Sequence, residues 1–522
     1  MQPDFIVVGA GTAGCVLAAQ LSQKHNVLLI EAGGRPTNPF VSIPAGFTRL
    51  MNSDHDWSFE SEPQTHRGRR VFTPRGKMLG GSANFNAQIH QWCHPADFDE
   101  WAADGAPGWA WSDVAPTFVE QEGWTGESAN RARGRNGPMQ IEPNRHANPL
   151  SHAFVQSART CGLDGPEDYN GGGYEGAWIA QIAHQQGKRF SAYDAYLKPA
   201  LQSRSLSVVS NALVTGLTFE QRRCTGVSVR ENGGDRAYRA ERGVVLAAGA
   251  FGSPHILMLS GIGPAEHLRA HGLAVSIDSP GVGAGLQDHP TVALNFGTTR
   301  RDTLKTADSI FNLLRYLLLK EGPLASNAIE AFLFSRVGAG EPAPNLEIMF
   351  APVEWRNQGL EKPAVHGFSL APSVVKPRSR GALTLTSPDP ATSPKIDFGL
   401  LSDPEGYDEA VLLAGVALAR KIATTAPLSS MATRELAPSL GCDDPQALRD
   451  FIGDNIQTVY HPVSTCRMGD DTAAVVSSDL RVRGAENLWV ADASIMPSVP
   501  RGHPNAVVAM IANRAASMIN RP

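Results

Sequence analysis

Near its start the chain sets Gly9, Gly11 and Gly14 in a G-x-G-x-x-G turn, between the apolar run Phe5-Ile-Val-Val8 and a stretch of small residues that reaches Ser22. A second apolar run, Asn26-Val-Leu-Leu-Ile30, follows, and Glu31 ends it 17 residues after Gly14. Short continuous apolar runs suit strands buried on both faces of a parallel sheet, so the order strand, turn, helix, strand predicts the opening of a doubly wound α/β sheet. Each part of the pattern has a task. The glycines permit the turn and close backbone approach to a pyrophosphate, the helix N-terminus faces the anion, and Glu31, beside Ala32, can accept from ribose hydroxyls. That acid would repel the 2′-phosphate of NADP, but the motif does not separate FAD from NAD.

Similar runs return much later, at Gly243-Val-Val-Leu-Ala-Ala248 and Asn487-Leu-Trp-Val-Ala491. They are expected to join the same sheet, which makes the nucleotide domain discontinuous. Between 300 and 455 the texture changes: Leu346–Phe350, Phe368–Leu370 and Ala382–Thr386 alternate with Pro- and Gly-rich turns, which favours antiparallel strands. Stretches at Ile310–Leu319 and Ala410–Thr424 carry apolar residues three and four apart and are expected to cover one side of that second sheet. The polar segment 125–148 reads as an irregular surface excursion.

At 522 residues with 42% hydrophobic content, the chain can bury more than one core. Its 46 basic and 51 acidic residues are dispersed, with no basic block to favour nucleic acid. Cys15, Cys93, Cys161, Cys224, Cys442 and Cys466 form no C-x-x-C pair and read as reduced thiols. No apolar stretch is long enough for a membrane span, and the first one is too short for a signal h-region, so a soluble cytoplasmic protein is expected. His90 and His94 have the spacing of two metal ligands on a helical face; without a third ligand and with Pro95 adjacent, no metal site is expected.

Three further segments distinguish the cofactor. They are Pro74-Arg-Gly-Lys-Met-Leu-Gly-Gly-Ser-Ala-Asn-Phe-Asn86, Gly249-Ala-Phe-Gly-Ser-Pro-His-Ile-Leu-Met-Leu-Ser-Gly-Ile-Gly263, and a C-terminal pair, Tyr460-His-Pro-Val-Ser-Thr-Cys-Arg-Met-Gly469 with Asp492-Ala-Ser-Ile-Met-Pro-Ser-Val-Pro-Arg-Gly-His-Pro-Asn-Ala506. In this order they resemble the signatures of the glucose-methanol-choline family of FAD-dependent oxidoreductases. The resemblance implies a Rossmann-like FAD-binding domain from residues 1–150, 195–298 and 459–522, and a substrate-binding domain with an antiparallel sheet from 151–194 and 299–458. It further implies that Gly9, Gly11, Thr12, Ala13, Gly14, Glu31, Ala32 and Val214 serve the ADP half. Trp57, Leu79, Asn86 and Ala87 are expected at the flavin, with Asp492 and Ala493 at the ribityl-pyrophosphate and His503 and Pro504 at the ring's reactive edge. Ala83 stands where the family signature has a second serine. Phe85 stands where some relatives carry a histidine joined to the flavin, so FAD is expected to be noncovalent.

Hydride removal from an alcohol carbon needs prior or concerted loss of the hydroxyl proton, and imidazole is the side chain that titrates near neutrality. By the resemblance, His461 is the catalytic base and His503 its companion, and the reaction rate is expected to rise with pH through an apparent pKa of that pair. Tyr460 is the candidate substrate-facing aromatic, whereas His289 reads as interdomain structure. The expected reaction is oxidation of a primary alcohol, with aryl or furanic alcohols favoured over choline, and oxygen or a quinone-like acceptor taking the electrons. Lyase and photodecarboxylase chemistry on the same fold are the alternatives.

Overall fold

The computed structural model describes residues 2–64, 67–127, 132–171, 173–438 and 444–520. Phe5–Val8, Val27–Ile30 and Gly243–Leu246 are each buried along their whole length, as their uninterrupted Val, Leu and Ile runs require. They form the centre of a five-stranded parallel sheet, in the order 206–209, 27–30, 5–8, 243–246, 488–490. The late apolar runs therefore join the first two, as the sequence predicts. The strand Leu206–Val209 is an addition to that expectation. It lies at the sheet edge, where only Leu206 is fully buried, so it lacks the continuous apolar signature of the central strands.

Helix Thr12–Leu21 packs against the C-terminal helix Asn505–Ile519. Ala and Gly on the first helix allow the approach, and two side-chain bonds lock it: Thr12 Oγ1 to Asn505 Oδ1 at 2.8 Å and Gln20 Nε2 to Asn513 Oδ1 at 2.9 Å. This contact brings the two ends of the sequence together beside the parallel sheet.

The second sheet is antiparallel. Its strands run in the order 432–437, 294–298, 367–374, 346–351, 331–335, 176–179, and the short strands 290–291 and 457–458 extend it beside 367–374. Strands 346–351 and 367–374 match the sequence expectation. The strand Gly381–Thr384 is antiparallel as expected, but it belongs to a separate small sheet with 284–286 and 395–397.

Helix Tyr407–Ala423 covers the large sheet through Val411, Leu412, Gly415 and Val416, packing on strands 346–351 and 367–374. The second covering helix is Pro149–Thr160, not Ile310–Leu319. The latter forms as a helix, yet it turns its apolar face away from the protein. Periodicity reveals such a face but not its direction.

The segment expected to be an irregular excursion is partly ordered core. Met139–Pro143 is a strand paired with 122–124 and 181–182, and Arg133 is buried against Glu122 and Asp168; residues 128–131 lie outside the described ones. Cys15, Cys93, Cys161, Cys224 and Cys466 are free thiols, and Cys442 lies outside the described residues. Among the described residues no helix is long and apolar enough to cross a membrane.

Candidate active site

A cavity of about 420 Å³ runs from the glycine turn to the two conserved-motif histidines between the sheets. Three helix N-termini border it, beginning at Thr12, Gly249 and Asn505, and in none of them does the N-cap residue's own side chain close the helix. The helix dipoles beside the glycine turn make that part of the cavity suited to an anion such as a pyrophosphate. A Cβ added to Gly11 would meet no heavy atom within 4 Å, so its missing side chain opens into the cavity. The shape and donor set fit an extended dinucleotide.

Of the residues assigned from sequence to the cofactor, Gly9, Gly11, Thr12, Ala13, Glu31, Ala32, Trp57, Asn86, Ala87, Val214, Asp492, Ala493, His503 and Pro504 line the cavity. Gly14 and Leu79 do not. Gly14 is a packing glycine: a Cβ there would lie 1.7 Å from the Gly9 carbonyl oxygen. Leu79 belongs to the main core, and its backbone carbonyl accepts from Asn84 Nδ2 at 2.8 Å. A spacing rule counts positions along the turn, whereas strand-to-helix packing decides which of them meet the cavity.

The two acids in the lining are already engaged. Glu31 accepts from the N–H groups of Ala10 at 2.7 Å and Gly33 at 2.8 Å, so it braces the glycine turn from the cavity edge. Asp492 accepts at one oxygen from Gly249 N and Ser253 Oγ and at the other from Ser494 N and Oγ. Burial raises the pKa of both carboxyls. Trp57 stacks on Phe59, with ring centroids 5.7 Å apart and planes 7° from parallel.

At the other end, the His461 and His503 rings stand 5.0 Å apart and nearly perpendicular, at 87°. The strand pair 290–291 and 457–458 delivers His461 just beyond the sheet edge. Its backbone N–H donates to Asp288 Oδ1 at 2.9 Å, and its Nδ1 lies 3.1 Å from His289 Nδ1. His289, read from sequence as interdomain structure, is thus a direct partner of the candidate base. Burial lowers the His461 pKa well below the usual imidazole value, with His503, His289 and Arg75 lowering it further. His289 is likewise lowered, to about 3, first by burial. The two rings face each other through their Nδ1 atoms.

His503 Nε2 lies 2.9 Å from Glu347 Oε1, and Gln91 Oε1 accepts its backbone N–H. Glu347 is fully buried in the middle of the large sheet, and its Oε2 has no partner among the described residues. The sequence reading missed it, although a carboxylate inside the apolar run Leu346-Glu-Ile-Met-Phe350 was the available signal. Arg75 was also missed. It lines the cavity and donates from Nη2 to the Tyr460 carbonyl at 2.6 Å; burial lowers its pKa against the opposing pull of Asp288 and Asp56. Asp288, beneath both histidines, is pushed up to about 7 by burial.

Tyr460 lines the cavity in the left-handed backbone region, at φ 65°, an unusual conformation for a residue with a side chain. Its hydroxyl is buried without a partner among the described residues. Phe47, Met51, Met349 and Trp355 line the same cavity. Phe85 also lines the cavity. His90 bonds Glu122 Oε1 at 2.8 Å, and His94 accepts from Ala96 N at the start of helix Pro95–Ala103. The two rings therefore serve separate structural partners. No group of three His, Cys, Asp or Glu side chains among the described residues is arranged to hold a metal ion.

Comparison with known proteins agrees with this geometry. The N-terminal GMC oxidoreductase model matches residues 3–291 and the C-terminal GMC oxidoreductase model residues 377–512. The chain is 39% identical over 526 residues to an uncharacterised GMC-type oxidoreductase of Mycobacterium tuberculosis, covering 99% of both. It is 37% identical over 536 residues to an oxygen-dependent choline dehydrogenase of Brucella melitensis, covering 99% of this chain and 96% of the relative. Among solved structures, pyridoxine 4-oxidase from Mesorbium loti superposes with a TM-score of 0.89 at 30% identity, covering 98% of each chain. The chain belongs to the GMC oxidoreductase family and is an oxidoreductase acting on CH–OH donors.

Proposed function

We propose that the protein binds FAD noncovalently and oxidises a primary aryl or furanic alcohol to its aldehyde, with oxygen or a quinone-like molecule taking the electrons. The observation that carries this reading is the buried pair His461 and His503 in the wall of a cavity also lined by Phe47, Met51, Met349, Trp355 and Tyr460. Such a wall suits a flat, uncharged alcohol. The likeness to pyridoxine 4-oxidase, named for a ring alcohol, supports the same class. Choline is less well served, because both acids of the lining, Glu31 and Asp492, have their oxygens engaged by backbone and hydroxyl donors.

FAD, when bound, supplies the acceptor for a hydride. Gly9, Gly11, Thr12, Ala13, Glu31, Ala32 and Val214 would hold its adenosine and pyrophosphate, and Trp57, Asn86, Ala87, Asp492, Ala493 and Pro504 its other half. On this reading pieces 1–150, 195–298 and 459–522 serve the cofactor and 151–194 and 299–458 the substrate, with strands 139–143, 284–286, 290–291 and 294–298 paired across the division.

His461 acts as the base through Nε2. In the tautomer that donates the Nδ1 hydrogen to His289 Nδ1, 3.1 Å away, Nε2 keeps a lone pair for the hydroxyl proton of the alcohol. His503, held at Nε2 by Glu347, presents Nδ1 to the same oxygen. Burial of both rings excludes water and fixes the alcohol oxygen between them.

The depressed His461 pKa changes the pH dependence expected from an ordinary imidazole. The neutral ring is the working form, so it is fully present at neutral pH and is lost only as pH falls through the lowered value. Anaerobic flavin bleaching should be flat across neutral pH and drop only in acid. A rise centred on the ordinary imidazole value would show that His461 is not the titrating base.

Phe85 lines the cavity where a histidyl link would form, and His90 is engaged with Glu122. Acid precipitation should therefore release all the flavin into the supernatant; colour retained in the pellet would refute noncovalent binding. Anaerobic mixing with a panel of alcohols, followed at the oxidised flavin absorbance, tests the substrate class. Bleaching by benzyl or furfuryl alcohol and not by choline is the expected pattern. No bleaching by any alcohol, with turnover of a cyanohydrin or a fatty acid instead, would overturn the oxidase reading.

A further inference from the structure

The helix Ile310–Leu319 reverses the usual arrangement of an amphipathic surface helix. Its inward face carries Asn312 and Tyr316, both buried, with Leu313 half-buried beside them. Tyr316 is fastened by its hydroxyl to the carbonyls of Ser42 and Gly187. Its outward face carries Ile310, Phe311, Leu314, Leu317 and Leu318, at the i, i+1, i+4, i+7, i+8 spacing of a single stripe. These side chains are exposed to between 50% and 79%, and Leu319 beside them to 62%. An apolar stripe of this size, left to water on an otherwise well-packed chain, marks a binding surface.

Charge and size choose the occupant. Around the helix stand the cations Arg49, Arg315, Lys320 and Lys362. Facing them are Asp308, which Arg49 and Lys362 share, and Glu321, 3.2 Å from Arg315. Four positive groups against two negative ones, with Glu361 beside Lys362 offset by Arg356 at 3.0 Å, leave a basic rim on a chain whose formal net charge is −5. A basic rim around an exposed apolar stripe matches the interface of an anionic bilayer, where cations meet the headgroups and the stripe enters the acyl boundary. A second copy of the chain would present the same positive rim to itself. A stable protein interface also takes about 20–30 residues a side, more than one short helix supplies.

We propose that helix Ile310–Leu319 lies in the plane of an anionic lipid surface and docks the enzyme there as a peripheral membrane protein. The helix spans nothing; it rests on its apolar face. It is joined to the cavity through one packed layer: Tyr316 clusters with Ile43, Leu324 and Ala325, and the adjoining turn Pro44–Arg49 carries Phe47 into the cavity wall. Docking thus sets the Phe47 side of the cavity toward the lipid.

The test is flotation of the full chain with vesicles of phosphatidylcholine containing phosphatidylglycerol, and with vesicles of phosphatidylcholine alone. The protein should float with the anionic vesicles, several-fold less with the neutral ones, and less again as salt is raised. The double variant Leu314→Glu/Leu318→Glu, at two exposed positions, should cut the bound fraction at least about tenfold while keeping the wild-type melting temperature and circular dichroism. Failure of the wild type to float, equal flotation on neutral vesicles, or undiminished flotation of the variant each overturns the proposal. So does a dimer, seen by analytical ultracentrifugation, that the same variant dissociates, because the stripe would then be covered by a second copy.

Discussion

Replacing His461 with Ala is expected to slow anaerobic flavin bleaching by alcohol at least about 10²-fold while FAD stays bound, the lower range for loss of a positioned base. The cofactor should remain because His461 is not part of the glycine turn or of the helix Thr12–Leu21 that follows it. The rate should fall because the variant loses the one ring whose Nδ1 is oriented by His289 and whose burial keeps it unprotonated at neutral pH. His503→Asn should be milder. Asn can still offer a hydrogen bond to the substrate oxygen, although it gives up the bond to Glu347 that fixes the ring. The measurement is single-turnover bleaching at saturating alcohol for both variants. If His461→Ala bleaches normally while His503→Asn is nearly inactive, the two roles are exchanged and the base is the residue on Glu347.

The second large effect separates two glycines that the turn motif treats alike. Gly14→Val should destabilise the cofactor-free chain by more than about 3 kcal/mol, beyond the usual cost of overpacking. The added Cβ would fall 1.7 Å from the Gly9 carbonyl oxygen, a backbone atom that cannot move without opening the turn. Gly11→Val should leave the stability of the cofactor-free chain within about 0.5 kcal/mol, as expected for a position without crowding. Gly11 has an ordinary negative φ of −71° and no heavy atom within 4 Å of the added Cβ. Its side chain would occupy the cavity itself, so FAD affinity should fall by at least about 10²-fold, the loss expected when a group blocks close backbone approach to a pyrophosphate. Urea unfolding of the cofactor-free proteins and FAD titration of each read the two effects independently. Native FAD affinity in Gly11→Val would mean that the cofactor does not pass this turn.

The parallel sheet was legible in the sequence because strands buried on both faces must be apolar throughout, and Phe5–Val8, Val27–Ile30 and Gly243–Leu246 are. The edge strand Leu206–Val209 was not, because partial exposure removes that constraint. The positions that line the cavity were legible where backbone chemistry is local, at Gly9, Gly11 and Thr12, whereas Gly14 and Leu79 lie outside its lining because packing between elements decides what faces the cavity.

By itself, then, the sequence determined the turn, the central strands, the second antiparallel sheet and the two histidines, since these follow from short-range sterics, side-chain periodicity and motif context. Only the tertiary structure decided what those histidines touch. His289 reaches His461 across 172 residues and Glu347 reaches His503 across 156, and it is the burial produced by that assembly that lowers the His461 pKa. The same holds for the helix Ile310–Leu319. Its spacing states that an apolar face exists, but the buried bonds of Tyr316 to Ser42 and Gly187 turn that face outward, because the direction of a face is set by what the opposite side must satisfy.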